Sequence, residues 1–141
     1  MRPRWRASSA ARACYESALA YTTERKQFDR PLAGFQLVQR KLVEMLVQVN
    51  RAALLALHLG RIKDRGEITP AQVSFGKLDN VRQALDVARE ARNVLGANGI
   101  TLEYPVIRHM NNLESVFTYE GTNEIHTLVL GQAITGVPAF T

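Results

Sequence analysis

The stretch FQLVQRKLVEMLVQVNRAALLALHLGRIKD, residues 35–64, carries the clearest structural signal in the chain. Apolar side chains recur along it with a period near 3.5 residues, which is typical of a long helix that buries one face in a bundle. The positions on this face are Val38, Leu42, Met45, Val49, Ala53, Ala56 and Leu59. We therefore predict a helix from Phe35 to about Asp64, ended by Gly66.

The segment after this helix predicts the start of the next one. Thr69 can cap a helix, Pro70 suits its first turn, and Gln72 completes a Thr-x-x-Gln capping box. Apolar spacing continues to about Leu95, and the sequence GANG, residues 96–99, ends the pattern.

Two further helices are predicted on either side of this pair. Apolar spacing places the first from Ser8 or Ser9 to about Arg25, and the last from its cap Thr122 to about Ile134. Residues 106–117 fit either a short helix or an extended segment. Because no strand pattern or internal repeat is visible, we predict an all-α fold. It is a four-helix up-down bundle over residues 11–141, after an irregular basic tail of residues 1–10.

Composition favours a soluble, single-domain protein. Of 141 residues, 46% are hydrophobic and 22% charged, and no apolar run reaches the ~20 residues that cross a bilayer. We therefore predict no membrane span. The lone Cys14 and the scattered histidines predict no disulfide and no metal site. A reducing compartment follows, either the cytoplasm or, if the source is eukaryotic, the mitochondrial matrix.

The positive charge is concentrated at the amino terminus. The net charge is +5, and it would be +2 without Arg2, Arg4 and Arg6. This tail resembles a transit peptide in composition, but its apolar spacing is poor, which favours a solvated end. No helix carries a basic stripe with interleaved aromatic residues, so nucleic-acid binding is not predicted.

Glu120, Gly121 and Thr122 precede the last helix, and two explanations fit them. A carboxylate near a helix start stabilises the unpaired N–H groups of the first turn. Alternatively, Gly121 lets a flat ligand approach the backbone, Glu120 acts as a general base and Thr122 offers a hydroxyl. Spacing alone does not choose between them.

The loop ERKQFDRPLAGFQ, residues 24–36, is open to two interpretations as well. Mixed charge of this kind is ordinarily a solvated surface. The functional alternative is that Arg25 pairs with a phosphate, while Gln36 hydrogen-bonds a sugar or a base.

Three motifs together resemble the C-terminal helical domain of the flavin-dependent acyl-CoA dehydrogenases. They are YTTERKQFDRPLAGFQLVQRKLVEM (residues 21–45), ARNVLGANGI (residues 91–100) and TYEGTNEIHTLVLGQAITG (residues 118–136). The resemblance covers residues 11–141, and the last third looks most like the glutaryl-CoA dehydrogenases.

This resemblance implies roles for individual residues. Glu120 is similar to the base that removes the α-proton of an acyl thioester, while hydride leaves the β-carbon for FAD. Gly121 matches the position whose backbone meets the substrate. Positions that match contacts to the FAD of a neighbouring subunit are Arg25, Gln36, Asn93, Val94, Leu95, Gly96 and Ala97. Thr122 and Glu124 match flavin contacts after the base. Asp29 and Ala97 replace glycines that are usual in the family, which puts the affinity for flavin in question.

The resemblance also implies that an N-terminal helical domain and a middle β-domain supply most of the flavin and acyl-CoA sites. We therefore expect a truncated gene product or one part of a split enzyme. With those domains it would oxidise an acyl-CoA and pass electrons to an electron-transfer acceptor. The alternative is a non-catalytic helical module that assembles with full-length relatives. In the family this domain forms a tetramer core, and exposed apolar faces would make the isolated chain a homo-oligomer.

Overall fold

The computed structural model describes residues 3–139, with side chains described from Ala7 onward. Helices occupy most of this part of the chain: α1 Pro3–Glu24, α2 Gln36–Asp64, α3 Pro70–Val94, α4 Val106–Thr118 and α5 Asn123–Thr135. A small antiparallel hairpin, β1 Lys26–Gln27 and β2 Arg30–Pro31, lies between α1 and α2. Short 3₁₀ turns cover Leu32–Gly34 and Gly96–Ile100. The all-α prediction is confirmed.

Helix α3 is the centre of the molecule, because it packs against each of the other helices. Helix α1 also packs against α2 and α4, so α1 to α4 form a four-helix bundle, and α5 lies against α3 outside it. The pair Lys41 Nζ and Glu90 Oε1, 2.5 Å apart, joins the start of α2 to the end of α3. Helices α2 and α3 are therefore antiparallel, as the up-down prediction requires of neighbours in sequence.

The core is built largely from the positions that the apolar spacing indicates. Its largest fully buried apolar side chains are Met45, Leu85, Leu95 and Leu113. On α2 the predicted face is one residue out in a single place: Ala53 is exposed and Ala52 is buried. With Ala52 in place of Ala53, the buried positions alternate by three and four residues from Leu42 to Leu59, which is the 3.5-residue period of a packed bundle helix. The Thr69–Gln72 capping box is present as predicted.

The amino-terminal tail is one correction. Helix α1 begins at Pro3, so residues 3–10 are helical rather than irregular. Proline suits the first turn of a helix, and the small side chains of Ala7 and Ala11 are both 1% exposed in the core. Met1 and Arg2 lie outside the described residues, as do the side chains of Arg4 and Arg6.

The number of helices is a second correction, because the described residues contain five and not four. The segment that the sequence left open is α4, which starts directly after Pro105. The hairpin is a third correction, since no strand was predicted there. Phe28 and Asp29 form its two-residue turn with φ of 52° and 61°. Positive φ at both positions is typical of a type I′ turn, whose twist matches that of the two strands.

Helix α2 has an apolar outer face, which we define as Val43, Leu46, Val47, Leu54 and Leu57; all five side chains are exposed. By length and composition α2 could cross a membrane, since an 18-residue window has a mean hydropathy of 1.4. The prediction of no span rested on uninterrupted apolar runs, and isolated charges interrupt this one. Core helices of soluble proteins meet the same criterion, and the opposite face of α2 packs in the core.

Candidate functional site

Residues 119–122 form the connection between α4 and α5, which we name the EGT turn. Tyr119 is the C-cap of α4, and Thr122 is the N-cap of α5. Between them Glu120 and Gly121 have φ of 54° and 90°. A left-handed backbone costs a residue with a Cβ about 1–2 kcal/mol, and strain of this kind is common at functional sites.

The structure weighs against the simpler explanation for Glu120. The hydroxyl of Thr122 accepts a hydrogen bond from the N–H of Ile125 at 3.4 Å, which confirms Thr122 as the cap. The acid in the first turn of α5 is Glu124, and its pKa is lowered by hydrogen bonds to its backbone N–H and to the Thr122 side chain. Glu120 lies before the cap and is exposed. Thr122 and Glu124 therefore stabilise the helix start without it.

A buried lysine on α3 holds the EGT turn. The ammonium of Lys77 donates hydrogen bonds to the carbonyl oxygens of Tyr119 and Gly121, one on each side of Glu120. Lys77 is 8% exposed. Burial lowers its pKa, and the nearby Glu120 carboxylate opposes this shift. No motif in the sequence predicts a role for Lys77, although a charged residue on the buried face of α3, between Ser74 and Val81, is a usable signal.

Gly121 is required by its surroundings as well as by its backbone. A Cβ there would lie 3.0 Å from Nε2 of His126, one turn into α5. The imidazole therefore packs directly against the turn. His126 is a second residue whose position the sequence did not predict, because a lone histidine in a helix belongs to no motif.

An open groove lies beside the turn, between the start of α1 and the end of α4. Its volume is about 520 Å³. Its lining includes Ala7, Ala10, Leu113, Val116 and Tyr119. His109 also faces it; burial, with a smaller effect from Arg108, lowers the pKa of this imidazole and favours its neutral form. The groove therefore suits an apolar or weakly polar chain.

The remaining predicted cofactor residues gather at the opposite end of the bundle. Arg25 follows α1, Gln36 begins α2, and residues 93–97 form the end of α3 and the turn after it. The amide of Asn98 donates to the hydroxyl of Tyr21 at 3.1 Å, which joins two of these segments. A cavity of about 370 Å³ there is lined by Tyr21, Glu24, Arg25, Asn98 and Tyr104, with Ser17 and Ala20.

Individual members of this group differ in accessibility. Asn93, Gly96 and Ala97 are exposed, whereas the Leu95 side chain is 2% exposed and belongs to the core. Ala97 lies in the 3₁₀ turn and is not among the residues with positive φ, so its methyl group adds no backbone strain. Asp29 does have positive φ, which is the conformation that the usual glycine adopts freely.

The structure separates the predicted site residues into two groups. Lys77, which contacts the EGT turn, and Asn93 are 16 residues apart on α3, or about 24 Å at 1.5 Å per residue. Glu120, Thr122 and Glu124 therefore lie at one end of the bundle, far from the group around Arg25. One chain does not bring the two groups together.

The group around Arg25 fits an anionic, flat ligand such as a flavin dinucleotide. The Arg25 guanidinium is exposed beside a polar cavity, and it has no ion pair within residues 3–139. Phe28 is 87% exposed on the hairpin and stands edge-on to Phe35, with ring centroids 6.3 Å apart. A guanidinium suits phosphate, and an exposed ring suits a flat group. Phe28 was also missed, because an exposed aromatic residue in a loop has no periodicity.

Known proteins match this chain closely. The family model "Acyl-CoA dehydrogenase, C-terminal domain" matches residues 3–135. A crystal structure of glutaryl-CoA dehydrogenase from Mycobacterium smegmatis is 64% identical, with a TM-score of 0.93, over 96% of this chain and 35% of that one. Another glutaryl-CoA dehydrogenase structure from the same organism, in complex with FADH2, is 55% identical with the same TM-score and the same coverage of both chains.

A more distant relative extends the comparison. Glutaryl-CoA dehydrogenase from Desulfococcus multivorans is 32% identical over 128 residues, which are 90% of this chain and 33% of the relative. The chain thus spans about a third of the length of the relatives it matches. Its helices, the EGT turn and the match over residues 3–135 place the chain in the acyl-CoA dehydrogenase family, as a C-terminal helical domain.

Proposed function

We propose that this chain is the C-terminal part of an acyl-CoA dehydrogenase in which Glu120 removes the α-proton of the substrate. The observation that carries this proposal is the EGT turn. It presents a carboxylate on a left-handed backbone that two hydrogen bonds from Lys77 hold in place. A base held in a fixed position loses little orientational freedom when it reacts.

Substrate contacts follow from the neighbourhood of this turn. The acyl chain lies in the groove between α1 and α4, whose lining ends at Tyr119 next to Glu120. Gly121 leaves its backbone free of a side chain where the thioester approaches. Because Glu120 is exposed in this chain, the missing domains cover it and exclude water.

FAD is the cofactor we propose, and it accepts the hydride from the β-carbon when it is bound. The Arg25 group fits its phosphates and flat rings, and a relative binds FADH2. Since this group lies about 24 Å from Lys77, it serves the cofactor of a neighbouring subunit, whereas Thr122 and Glu124 serve the cofactor beside their own Glu120. This arrangement requires an oligomer.

The outer face of α2 is the surface we propose for that oligomer. All five apolar side chains of this face are exposed, and contiguous apolar patches of this kind mark protein interfaces. Glutaryl-CoA is the proposed substrate, because the 64%-identical relative carries that name. Electrons then pass to an external electron-transfer acceptor.

A non-catalytic assembly module is the second candidate. The same outer face of α2 favours it, because a module needs only an interface. The two candidates differ at Glu120, which a module does not use.

The test supplies the missing parts. The chain is produced together with the N-terminal and middle domains of the 64%-identical M. smegmatis enzyme, loaded with FAD, and mixed with glutaryl-CoA without oxygen. We expect the flavin absorbance to bleach in the wild type, and at least about 10³ times more slowly in Glu120→Gln. The control Glu67→Gln, which alters an exposed ion pair with Arg65, should bleach as the wild type does. Equal bleaching in all three would exclude Glu120 as the base.

A further inference from the structure

We propose that Lys77 is a positioning residue for Glu120. Its ammonium is hydrogen-bonded to the carbonyl oxygens of Tyr119 and Gly121, and it thereby fixes the turn that carries the carboxylate. This inference rests on the proposed function for the role of Glu120. The contact itself stands on geometry alone.

Lys77 connects parts of the chain that are distant in sequence. Its two acceptors lie 42 and 44 residues away, and both flank Glu120. Lys77 belongs to α3, which contacts every other helix and is the most firmly supported element of the bundle. Lys77 therefore joins the EGT turn directly to the central helix of the bundle.

The ammonium and the turn stabilise each other. Lys77 is 8% exposed, and burying an ammonium is costly unless polar partners replace water. The partners here are two carbonyl oxygens, the ring of Tyr119 with its centroid 5.8 Å from Nζ, and the nearby Glu120 carboxylate. The turn supplies nearly all of what the buried ammonium needs.

The backbone conformation of the turn depends on this contact. Both carbonyl groups reach one ammonium only while Glu120 and Gly121 keep their left-handed φ of 54° and 90°. Without the ammonium, Glu120 would be free to relax to a less strained conformation. Its carboxylate would then move relative to the groove, and proton abstraction would slow without loss of the cofactor.

The first experiment measures the turn without any catalysis. Hydrogen exchange by mass spectrometry is recorded on peptides that cover residues 117–125, in the wild type, Lys77→Met and Lys41→Met. Lys41→Met is a matched control, because it also removes a part-buried ammonium that is bonded to an acid on α3. We expect exchange in this segment to be at least about tenfold faster in Lys77→Met only. Equal exchange in the two variants would overturn the proposal.

A measurement on the wild type alone keeps the proposal testable if Lys77→Met does not fold. In the ¹⁵N NMR spectrum of the wild-type chain, a buried, hydrogen-bonded ammonium should give one slowly exchanging lysine signal with a contact to Tyr119. If every lysine ammonium exchanges at the rate of an exposed one, Lys77 does not hold the turn.

The kinetic experiment then separates positioning from general stability. In the assembled protein with its missing domains, Lys77→Met should lower the rate constant of flavin bleaching at least about tenfold, and it should leave flavin retention within about twofold of Lys41→Met. Lys77→Arg, which keeps the charge and several donors, should recover part of this rate constant. Equal rate constants in Lys77→Met and Lys41→Met would refute the positioning role. If the wild type does not bleach at all, the proposed function fails, and hydrogen exchange still decides whether Lys77 holds the turn.

Discussion

Asp29 occupies a position where a residue with a side chain is under strain. It is the second residue of the hairpin turn, with φ of 61°, and glycine adopts this conformation without steric cost. We expect Asp29→Gly to raise the free energy of unfolding by up to about 1 kcal/mol, measured by urea denaturation.

A second substitution at the same position separates backbone strain from charge. Asp29→Ala also removes the carboxylate, but it keeps a Cβ at positive φ. We expect it to stabilise the chain less than Asp29→Gly does. If Asp29→Ala gave the larger gain, the carboxylate and not the backbone would be the source of the cost.

Cys14 links stability to alkaline pH. The thiol is fully buried, and burial raises its pKa from 9.0 to about 12. In the unfolded chain the thiol loses its proton at lower pH than in the folded one. The contribution of the protonated thiol to the free energy of unfolding is therefore complete below pH 9, and it is lost as the pH rises towards 12.

The size of this effect can be measured against Cys14→Ala. Between pH 8 and pH 10.5 the wild type should lose about 2 kcal/mol more unfolding free energy than the variant, from urea titrations at both pH values. The folded thiol should also react slowly with a disulfide reagent at pH 8. Parallel losses in both proteins would show that Cys14 does not contribute.

At the residue scale, the sequence predicted some members of the site and not others. Glu120 was singled out because the types of its neighbours are unusual together. Lys77 was not, since its importance lies in carbonyl groups 42 and 44 residues away. Hydrogen bonds to backbone oxygens depend on the folded course of the backbone, so residue types and their spacing do not predict them.

At the scale of elements, the turn after α3 depends on Gly99. A Cβ there would lie 2.2 Å from the carbonyl oxygen of Arg92, so the 3₁₀ turn could not pack against the end of α3. We expect Gly99→Ala to lower the free energy of unfolding by about 3 kcal/mol, because backbone cannot shift as a flexible side chain can. Thermal denaturation followed by circular dichroism would measure the loss.

Gly131→Ala is the matched control for this prediction. Gly131 lies inside α5, and a Cβ would meet nothing within 4 Å. Alanine is favoured over glycine inside a helix by about 1 kcal/mol, so this substitution should stabilise the chain. Similar changes in both variants would mean that the contact at Gly99 is not decisive.

Long helices with strong local signals were predictable, and short connecting elements were not. Helices α2 and α3 combine many apolar turns with a capping box, and these signals agree. Helix α4 has 13 residues and begins directly after Pro105, so its local signals conflict until packing against α1 and α3 decides. The hairpin turn at Phe28 and Asp29 lacks the Asn-Gly or Asp-Gly that usually signals such a turn.

At the scale of the whole molecule, the outer face of α2 predicts self-association. We expect the 15.7 kDa chain to sediment as an oligomer, and the Val47→Lys/Leu54→Lys double variant to shift strongly towards the monomer. Charges on an apolar interface are costly to desolvate. Analytical ultracentrifugation distinguishes the two states.

The control for this variant adds a positive charge elsewhere. Glu67→Lys changes the charge by +2, as the double variant does, at an exposed position in the loop between α2 and α3. It should leave the sedimentation coefficient unchanged. A wild-type chain that sediments as a monomer would contradict the proposed interface.

The division of the site between the two ends of the bundle was not predictable from composition or spacing. The sequence indicated which residues belong together by chemistry, whereas their separation depends on the length and packing of α3. The family resemblance had implied flavin contacts from a neighbouring subunit, and the distance of about 24 Å gives a physical reason to propose them.

Proton abstraction by Glu120 is best tested by exchange of the substrate's α-protons. The chain, assembled with its missing domains and reduced FAD, is incubated with glutaryl-CoA in deuterated water, and loss of the α-proton signal is followed by NMR. Reduced flavin blocks hydride transfer, so only the base is measured. We expect rapid exchange in the wild type and at least about 10³-fold slower exchange in Glu120→Gln. Exchange at the same rate in both proteins would contradict the assignment of Glu120 as the base.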